Sequence, residues 1–172
     1  MSCFDILAKI GAIKPGKALD IGARNGELSC LLSRHGYDVD AIDPVVFAEL
    51  SAEKEINFVQ TRLEDFVTTE RYDLIVASLV SHHLTYSLED FFIRLESLLA
   101  DGGLVYLTLL GDDDDWAAKP IAKCVSFDEA ITIFESVGFH ALYKGTEWFE
   151  GRVYSGEGKF WNLFHFVLKR PR

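Results

Sequence analysis

The sequence predicts an α/β fold: a doubly wound, mostly parallel sheet that closes in an antiparallel hairpin. Three observations predict it. Short runs rich in Val, Ile and Leu alternate with amphipathic helix-length segments, as in "KALDIG", "ELSCLLSRHG" and "YDVDAID". Several runs, "YDLIVASLV" and "LVYLTLL" among them, stay apolar without alternating, which suits strands covered on both faces by helices. After Gly138 the helical pattern stops, and two strand-like runs follow each other across a glycine-rich connection.

The elements follow in order. "SCFDILAKI" pairs Ser2 with Asp5 as a cap and has Gly11 as a stop, so residues 1–12 hold an N-terminal helix. "KALDIG" is the first strand. Leu28, Leu31 and Leu32 share one face of the next helix, which Gly36 ends. "YDVDAID" is the second strand and completes a compact βαβ unit. "VVFAELSAEKE" suits a helix, "INFVQ" a third strand and "YDLIVASLV" a long fourth one. In "SLEDFFIRLESLLA", capped by Ser87 and Asp90, the residues Leu88, Phe91, Phe92, Leu95, Leu98 and Leu99 recur with helical spacing. "DGG" then turns the chain into "LVYLTLL". "SFDEAITIFESVG" carries a capping box, Ser126 with Glu129, and ends at Gly138. Finally "FHALYKGTEWF" and "KFWNLFHFVLK", joined by "EGRVYSGEG", form the hairpin. The second of these is apolar on both faces, which places it inside the sheet, because so apolar an edge would aggregate.

Composition bounds the function. A chain of 172 residues makes one domain, 1–172, and buries about 70% of its unfolded surface. Hydrophobic residues at 49% exclude a disordered chain. The net charge of -10 argues against nucleic acid, which needs a clustered basic face, and Lys169, Arg170 and Arg172 read as a solvated tail. Cys3, Cys30 and Cys124 are odd in number and widely spaced, so neither a disulfide framework nor a metal site is expected. "MSCFDILAKIGAIKPG" is too charged for a signal peptide, and no run approaches the roughly 18 apolar residues of a membrane span. The expectation is a soluble, cytoplasmic protein.

The chemistry concentrates at the first turn, "LDIGARNG". Its glycines let a ligand approach the backbone, and the helix beyond offers free N–H groups. The spacing Asp20-x-Gly22-x-Arg24-x-Gly26 differs from the GxGxxG of dinucleotide sites, where Asp20 would repel a pyrophosphate; a nicotinamide-dependent oxidoreductase is therefore disfavoured. Asp43 closes the second strand 21 residues after Gly22, the place of an acid that accepts two hydrogen bonds from a ribose. Together these residues suit a nucleoside without phosphates that carries a cationic part.

This constellation resembles class I S-adenosylmethionine-dependent methyltransferases over nearly the whole chain. "LDIGARNG" matches their first motif, "DAIDP" the ribose-binding acid and "LEDF" the loop beside adenine. "YDLIVASLVSHHL" matches the fourth strand and its exit, and "SLLADGGLVYLTL" the fifth-strand region. The resemblance implies a Rossmann-like sheet of seven strands, the seventh antiparallel between the fifth and sixth. It implies that Asp20 and the turn Gly22, Ala23, Arg24 and Gly26 face the amino-acid part of S-adenosylmethionine. Asp43 and Pro44 would hold the ribose, Leu63 and Glu64 would flank adenine, and Ser78 and Leu79 would line the pocket under the sulfur. Arg24 stands where the family most often has glycine, and there it could pair with the cofactor carboxylate. Arg62 stands where an acid is common, leaving adenine to the backbone, Gln60 or Glu64.

His83, with His82 beside it, leaves the fourth strand where substrate arrives. A neutral imidazole there could take a proton from the acceptor; the alternative is that His83 packs under the next helix and His82 caps it. Asp112 to Asp115 with Trp116 could take a cationic acceptor, a metal that activates one, or a metal that serves hydrolysis, but a mobile, solvated acidic loop is the better reading. Trp148 and Glu150 could reach the substrate, while Trp148 and Phe149 could equally pack the hairpin, which is the default. The expected function is methyl transfer to a small-molecule acceptor, since no "NPPY"-type motif stands where "ASLV" does. A non-catalytic cofactor-binding or partner-binding protein on the same fold is the alternative, motivated by Arg24 and Arg62.

Overall fold

The computed structural model describes residues 2–51, 54–153 and 155–171. Helix α1 (Cys3–Lys9) starts with a reciprocal cap: Ser2 Oγ accepts the Asp5 amide at 3.2 Å and the Asp5 carboxylate accepts the Ser2 amide at 3.0 Å. Then come β1 (Lys17–Ile21), α2 (Glu27–Arg34), β2 (Asp38–Asp43), α3 (Ala48–Ser51), β3 (Ile56–Gln60) and β4 (Tyr72–Ala77). The chain continues through α4 (Leu88–Leu98), β5 (Leu99–Leu110), α5 (Phe127–Ser136), β6 (His140–Arg152) and β7 (Gly158–Lys169). Among the described residues seven strands are ordered β3-β2-β1-β4-β5-β7-β6, and β7 runs antiparallel to its neighbours β5 and β6 while the other pairs are parallel. The doubly wound mixed sheet expected from the sequence is thus present, with the apolar "FWNLFHFVL" strand inside it. No described helix is long and apolar enough to cross a membrane.

Two helical layers sandwich the sheet. On one face Phe91, Phe92 and Leu95 of α4 and Phe134 of α5 meet Leu19, Ile75, Leu107 and Phe166. On the other Phe4, Ile6 and Leu7 of α1 and Leu32 of α2 meet Ala18, Val76, Tyr106 and Val167. Each fully buried Leu or Phe contributes about 1.5–3 kcal/mol. Because strand side chains alternate, Leu19 and Ile21 serve the α4/α5 face while Ala18 and Asp20 point under α1 and α2.

Three boundaries differ from the sequence reading. The helix expected over "VVFAELSAEKE" spans only Ala48–Ser51 among the described residues; Ala52 and Glu53 lie outside them. Its first turn is lost because Asp43 Oδ1 captures the Val45 amide at 2.8 Å and holds the chain in a side-chain-closed turn. Strand β4 stops at Ala77 rather than Val80, since Leu79 takes a left-handed φ of 54° and gives its amide to Thr108 Oγ1 at 2.8 Å. Helix α4 ends at Leu98, so that Leu99 opens β5 by pairing with Tyr72 ahead of the "DGG" turn.

Candidate functional site

The carboxyl ends of β1, β2, β4 and β5 share one rim, and the sequence motifs meet there. After β1 the backbone folds over the end of β2: the amides of Gly22 and Ala23 both donate to the Ile42 carbonyl, at 2.8 and 3.1 Å. The Arg24 amide then donates to Asp43 Oδ2 at 3.0 Å. Gly22 has φ 74°, and a Cβ on it would lie 2.7 Å from Val80 Cγ2. At Gly26, with φ 80°, a Cβ would lie 2.6 Å from Leu50 Cδ1. Arg24, where the resemblance leads glycine to be expected, adopts the left-handed φ of 51° that glycine would take without strain.

Two carboxylates lie in this turn. Asp20 is buried and accepts the Ser29 hydroxyl at 2.6 Å. Burial pushes its pKa up to about 6, the nearby Asp43 charge adds to the rise, and the Ser29 bond opposes it. Asp43, also buried, spends one acceptor position of each oxygen on the amides of Arg24 and Val45. An ionised carboxylate offers about four such positions, so acceptor capacity remains. Beside it Pro44, Val45 and Val46 present an exposed, apolar ledge.

The turn after β3 supplies Leu63, which is buried, and Glu64. Glu64 Oε1 accepts the amide and hydroxyl of Thr85 at 2.7 and 3.1 Å, whereas Oε2 is enclosed without a partner. Arg62 is exposed, and the Gln60 side chain donates to the Pro44 carbonyl at 3.2 Å.

Past β4, Ser78 and Leu79 are held by Thr108, and a single 3-10 turn, Ser81–His83, carries the two histidines. Their packing reverses the bland expectation. His83 is the more exposed of the two, with Arg24 and Asp43 as charged neighbours, and the burial it retains, then Arg24, lower its pKa. His82 is half-buried, its ring 5.8 Å from that of Trp116, and burial lowers its pKa to about 4. Neither histidine caps α4; Ser87 Oγ does, accepting the Asp90 amide at 3.0 Å. Lys123 Nζ ties down this exit by donating to the carbonyls of Ser81, Leu84 and Tyr86. Among the described non-glycine residues, Arg24, Leu79 and Lys123 have left-handed φ, and all three support this rim.

A cavity of about 430 Å³ opens on the α1/α2 side of the same rim, between Ser78, Thr108, Tyr106, His165, Glu147 and Phe149. That volume suits a small ligand. The sequence reading missed Tyr106, Thr108, Glu147 and His165. The available signal was His165 itself, one ionisable ring within "FWNLFHFVL". Of the hairpin aromatics, Phe149 lines the cavity and stacks on Trp161, while Trp148 is 57% exposed and stands apart from it.

The "GDDDDW" stretch is only in part the solvated acidic loop expected: Asp112, Asp113 and Asp115 are exposed, but Asp114 is not. Asp114 is buried in an ion pair with Lys159, whose ammonium lies 3.6 Å from the Trp161 ring centre and 4.6 Å from that of Trp116. Asp115 accepts the Phe160 amide at 2.6 Å.

Comparison with known proteins places this architecture. The profile of the family described as methyltransferase domain matches residues 2–148. A ubiquinone biosynthesis O-methyltransferase of Bradyrhizobium sp. is 33% identical over 113 residues, which cover 62% of this chain and 44% of that one. The chain spans 40 to 56% of the length of the named relatives it matches. TehB from Haemophilus influenzae superposes with a TM-score of 0.80 at 20% identity, over 99% of this chain and 63% of that one. The 1,6-didemethyltoxoflavin-N1-methyltransferase of Burkholderia thailandensis, solved with S-adenosylhomocysteine bound, gives 0.75 at 16% identity, over 98% and 76%. With a family profile matched from its first helix into its sixth strand, this chain belongs to the methyltransferase-domain family.

Proposed function

We propose that the protein transfers a methyl group from S-adenosylmethionine to a small-molecule acceptor. The observation that carries this reading is the bare Gly22–Gly26 turn wrapped onto the Asp43 carboxylate. The residues present fit the cofactor. A side chain at Gly22 would fill the cradle against Val80, and the free acceptor positions of Asp43 suit two ribose hydroxyls. Glu64 Oε2, buried and lacking a donor, can receive one from adenine, with Leu63 and the Pro44–Val46 ledge as apolar walls. Asp20 and the carbonyls around Ser78 and Leu79 offer negative charge and dipoles to a cationic ligand.

S-adenosylmethionine supplies an electrophilic methyl group on a positively charged sulfur. The chain's own contribution is alignment and exclusion of water. Asp20 prefers its ionised form once a cation sits near it, which favours the charged ligand over the neutral product. His83, which stands at the exit of β4 and whose pKa partial burial and Arg24 lower, can accept a hydrogen bond from a methyl acceptor arriving there. Arg24, whose backbone already adopts the required turn, can meet the carboxylate of the amino-acid part.

Isothermal titration with S-adenosylmethionine and S-adenosylhomocysteine tests the reading. Binding of both, with turnover on a panel of hydroxyl and amine acceptors, is the expected result. Failure of either ligand to bind overturns it, and binding without turnover on any acceptor would favour the non-catalytic reading.

A further inference from the structure

We propose that Tyr106, His165 and Glu147 form a proton relay in the cavity wall, and that the acceptor is a planar molecule methylated at an acidic hydroxyl of the phenol or enol class. The inference rests on the methyltransferase reading and deepens it by naming the group that is methylated.

The relay is built by three neighbouring strands. His165 on β7 stands opposite Thr108 on β5, with Tyr106 two residues back on the same face, and Glu147 comes from β6. The Tyr106 hydroxyl lies 3.0 Å from His165 Nδ1, and His165 Nε2 lies 3.1 Å from Glu147 Oε2. These contacts have one consistent direction. An ionised carboxylate can only accept, so Nε2 carries the ring proton, Nδ1 is the acceptor and Tyr106 donates to it. The remaining lone pair of the Tyr106 oxygen is then available to a donor in the cavity, which Tyr106 lines. Such a chain orients one substrate hydroxyl and gives its proton a path.

The transfer balances without a further reactant. The acceptor O–H bond breaks and its proton goes to the Tyr106 oxygen. The proton formerly on Tyr106 passes to His165 Nδ1, and the electron pair stays on the acceptor oxygen as an oxyanion. The resulting imidazolium is held by Glu147, whose side chain is 35% exposed and so connects to solvent. The ground state suits this task. Burial lowers the His165 pKa, against the pull of Glu147, so the ring starts neutral, and burial raises that of Tyr106, so the hydroxyl keeps its proton. The other ionisable side chains facing Tyr106 are Cys3 from α1 and Tyr143 from β6.

The acceptor class follows from the wall. A hydroxyl oxygen is a poor nucleophile until it loses its proton, whereas a neutral amine already presents a lone pair and needs no relay. The apolar lining comes from Leu28, Leu163 and Phe149, and the Phe149 ring lies 12° from parallel to Trp161, a surface that suits a flat ring. Ser78, assigned above to the region under the sulfur, lines the same cavity, so the oxygen and the methyl group would meet across it.

The test uses 4-nitrophenol, whose anion absorbs visible light, so that its ionised fraction is read without turnover. It is titrated with the protein alone and with the protein saturated in S-adenosylhomocysteine. The expected result is an ionisation midpoint at least about one pH unit lower on the protein than in water. Tyr106→Phe, Glu147→Gln and His165→Gln should each abolish that shift, while affinity for S-adenosylhomocysteine stays within about twofold of wild type. Tyr106→Phe keeps the ring that fills the core, so the test survives if the His165 variant fails to fold. An unshifted midpoint, a shift that persists in Tyr106→Phe, or one lost in His83→Ala instead, overturns the relay. Failure of the methyltransferase reading would look different: wild type would not bind S-adenosylhomocysteine, and the nitrophenol midpoint of the protein alone would still decide the relay.

Discussion

The backbone amide of Arg24 donates to Oδ2 of Asp43 at 3.0 Å, locking the end of the first turn to the end of the second strand. Because Oδ1 of the same carboxylate holds the Val45 amide, Asp43 organises three segments before any ligand arrives. Substitution should therefore combine two effects. Asp43→Ala removes the proposed ribose acceptor together with both amide contacts, and hydrogen bonds to a charged group are worth about 1.5–3 kcal/mol each. Affinity for S-adenosylhomocysteine should drop at least tenfold by isothermal titration, roughly the value of one such bond. Asp43→Asn must aim its amino group at one of the two amides, so it should also destabilise the fold by about 1–3 kcal/mol in denaturant unfolding. Unchanged affinity in Asp43→Ala would remove the basis for the cofactor assignment.

The close approach of Gly22 to Val80 makes a second prediction. Gly22→Ala meets a left-handed backbone, about 1–2 kcal/mol, and a Cβ 2.7 Å from Val80 Cγ2. Val80→Ala removes the collision but not the backbone strain. The double variant should be more stable than the sum of the single effects by about 1 kcal/mol in urea unfolding. Strict additivity would mean that Val80 is not what requires glycine there.

Why these motifs were legible, and others not, follows from how each is encoded. Gly22, Gly26, Asp20 and Asp43 are read from spacing, because a tight turn and a strand-end acid impose their residues locally. Helix caps such as Ser2 with Asp5 are equally local. The cavity wall is different. Tyr106, Glu147 and His165 meet only because β7 inserts between β5 and β6, so strand order, not any short pattern, brings them together. Asp114 was misread for the same reason: its partner Lys159 is 45 residues away, and the acidic run looked solvated without it. The shortened helix at Ala48–Ser51 was lost to a side-chain bond, Asp43 to the Val45 amide, that overrode a good helical composition.

The Lys159–Asp114 pair predicts a strong and partly reversible loss of stability. Both side chains are almost fully enclosed, and Trp116, which shields the lysine, also packs against His82. Lys159→Met leaves a buried, uncompensated carboxylate and should cost about 3–5 kcal/mol in chemical denaturation. Adding Asp114→Asn removes that charge and should recover part of the loss. Full recovery is not expected, because the Asp114 oxygens also accept the amides of Trp116 and Asn162, at 2.9 and 3.1 Å. A double variant no more stable than Lys159→Met alone would show that the cation matters through the tryptophans rather than the carboxylate.

Asp20 predicts an opposition between stability and binding, with a defined pH window. Its pKa rises on folding to about 6, so between about pH 4 and that value the folded chain binds the extra proton. Stability contributed by this group therefore falls as pH rises through that window and stays reduced above it. Asp20→Asn can keep the Ser29 bond through its carbonyl oxygen while removing the buried charge. At about pH 7.5 it should be more stable than wild type by about 2–3 kcal/mol, the equivalent of two pH units, and near pH 4 the gain should vanish. The same variant should bind S-adenosylmethionine at least about tenfold more weakly, since the acid proposed to face the cationic ligand is gone. Denaturant unfolding at both pH values and titration with the ligand read the two effects. A variant that gains no stability at neutral pH would mean that Asp20 is stabilised by its surroundings even without a bound cation.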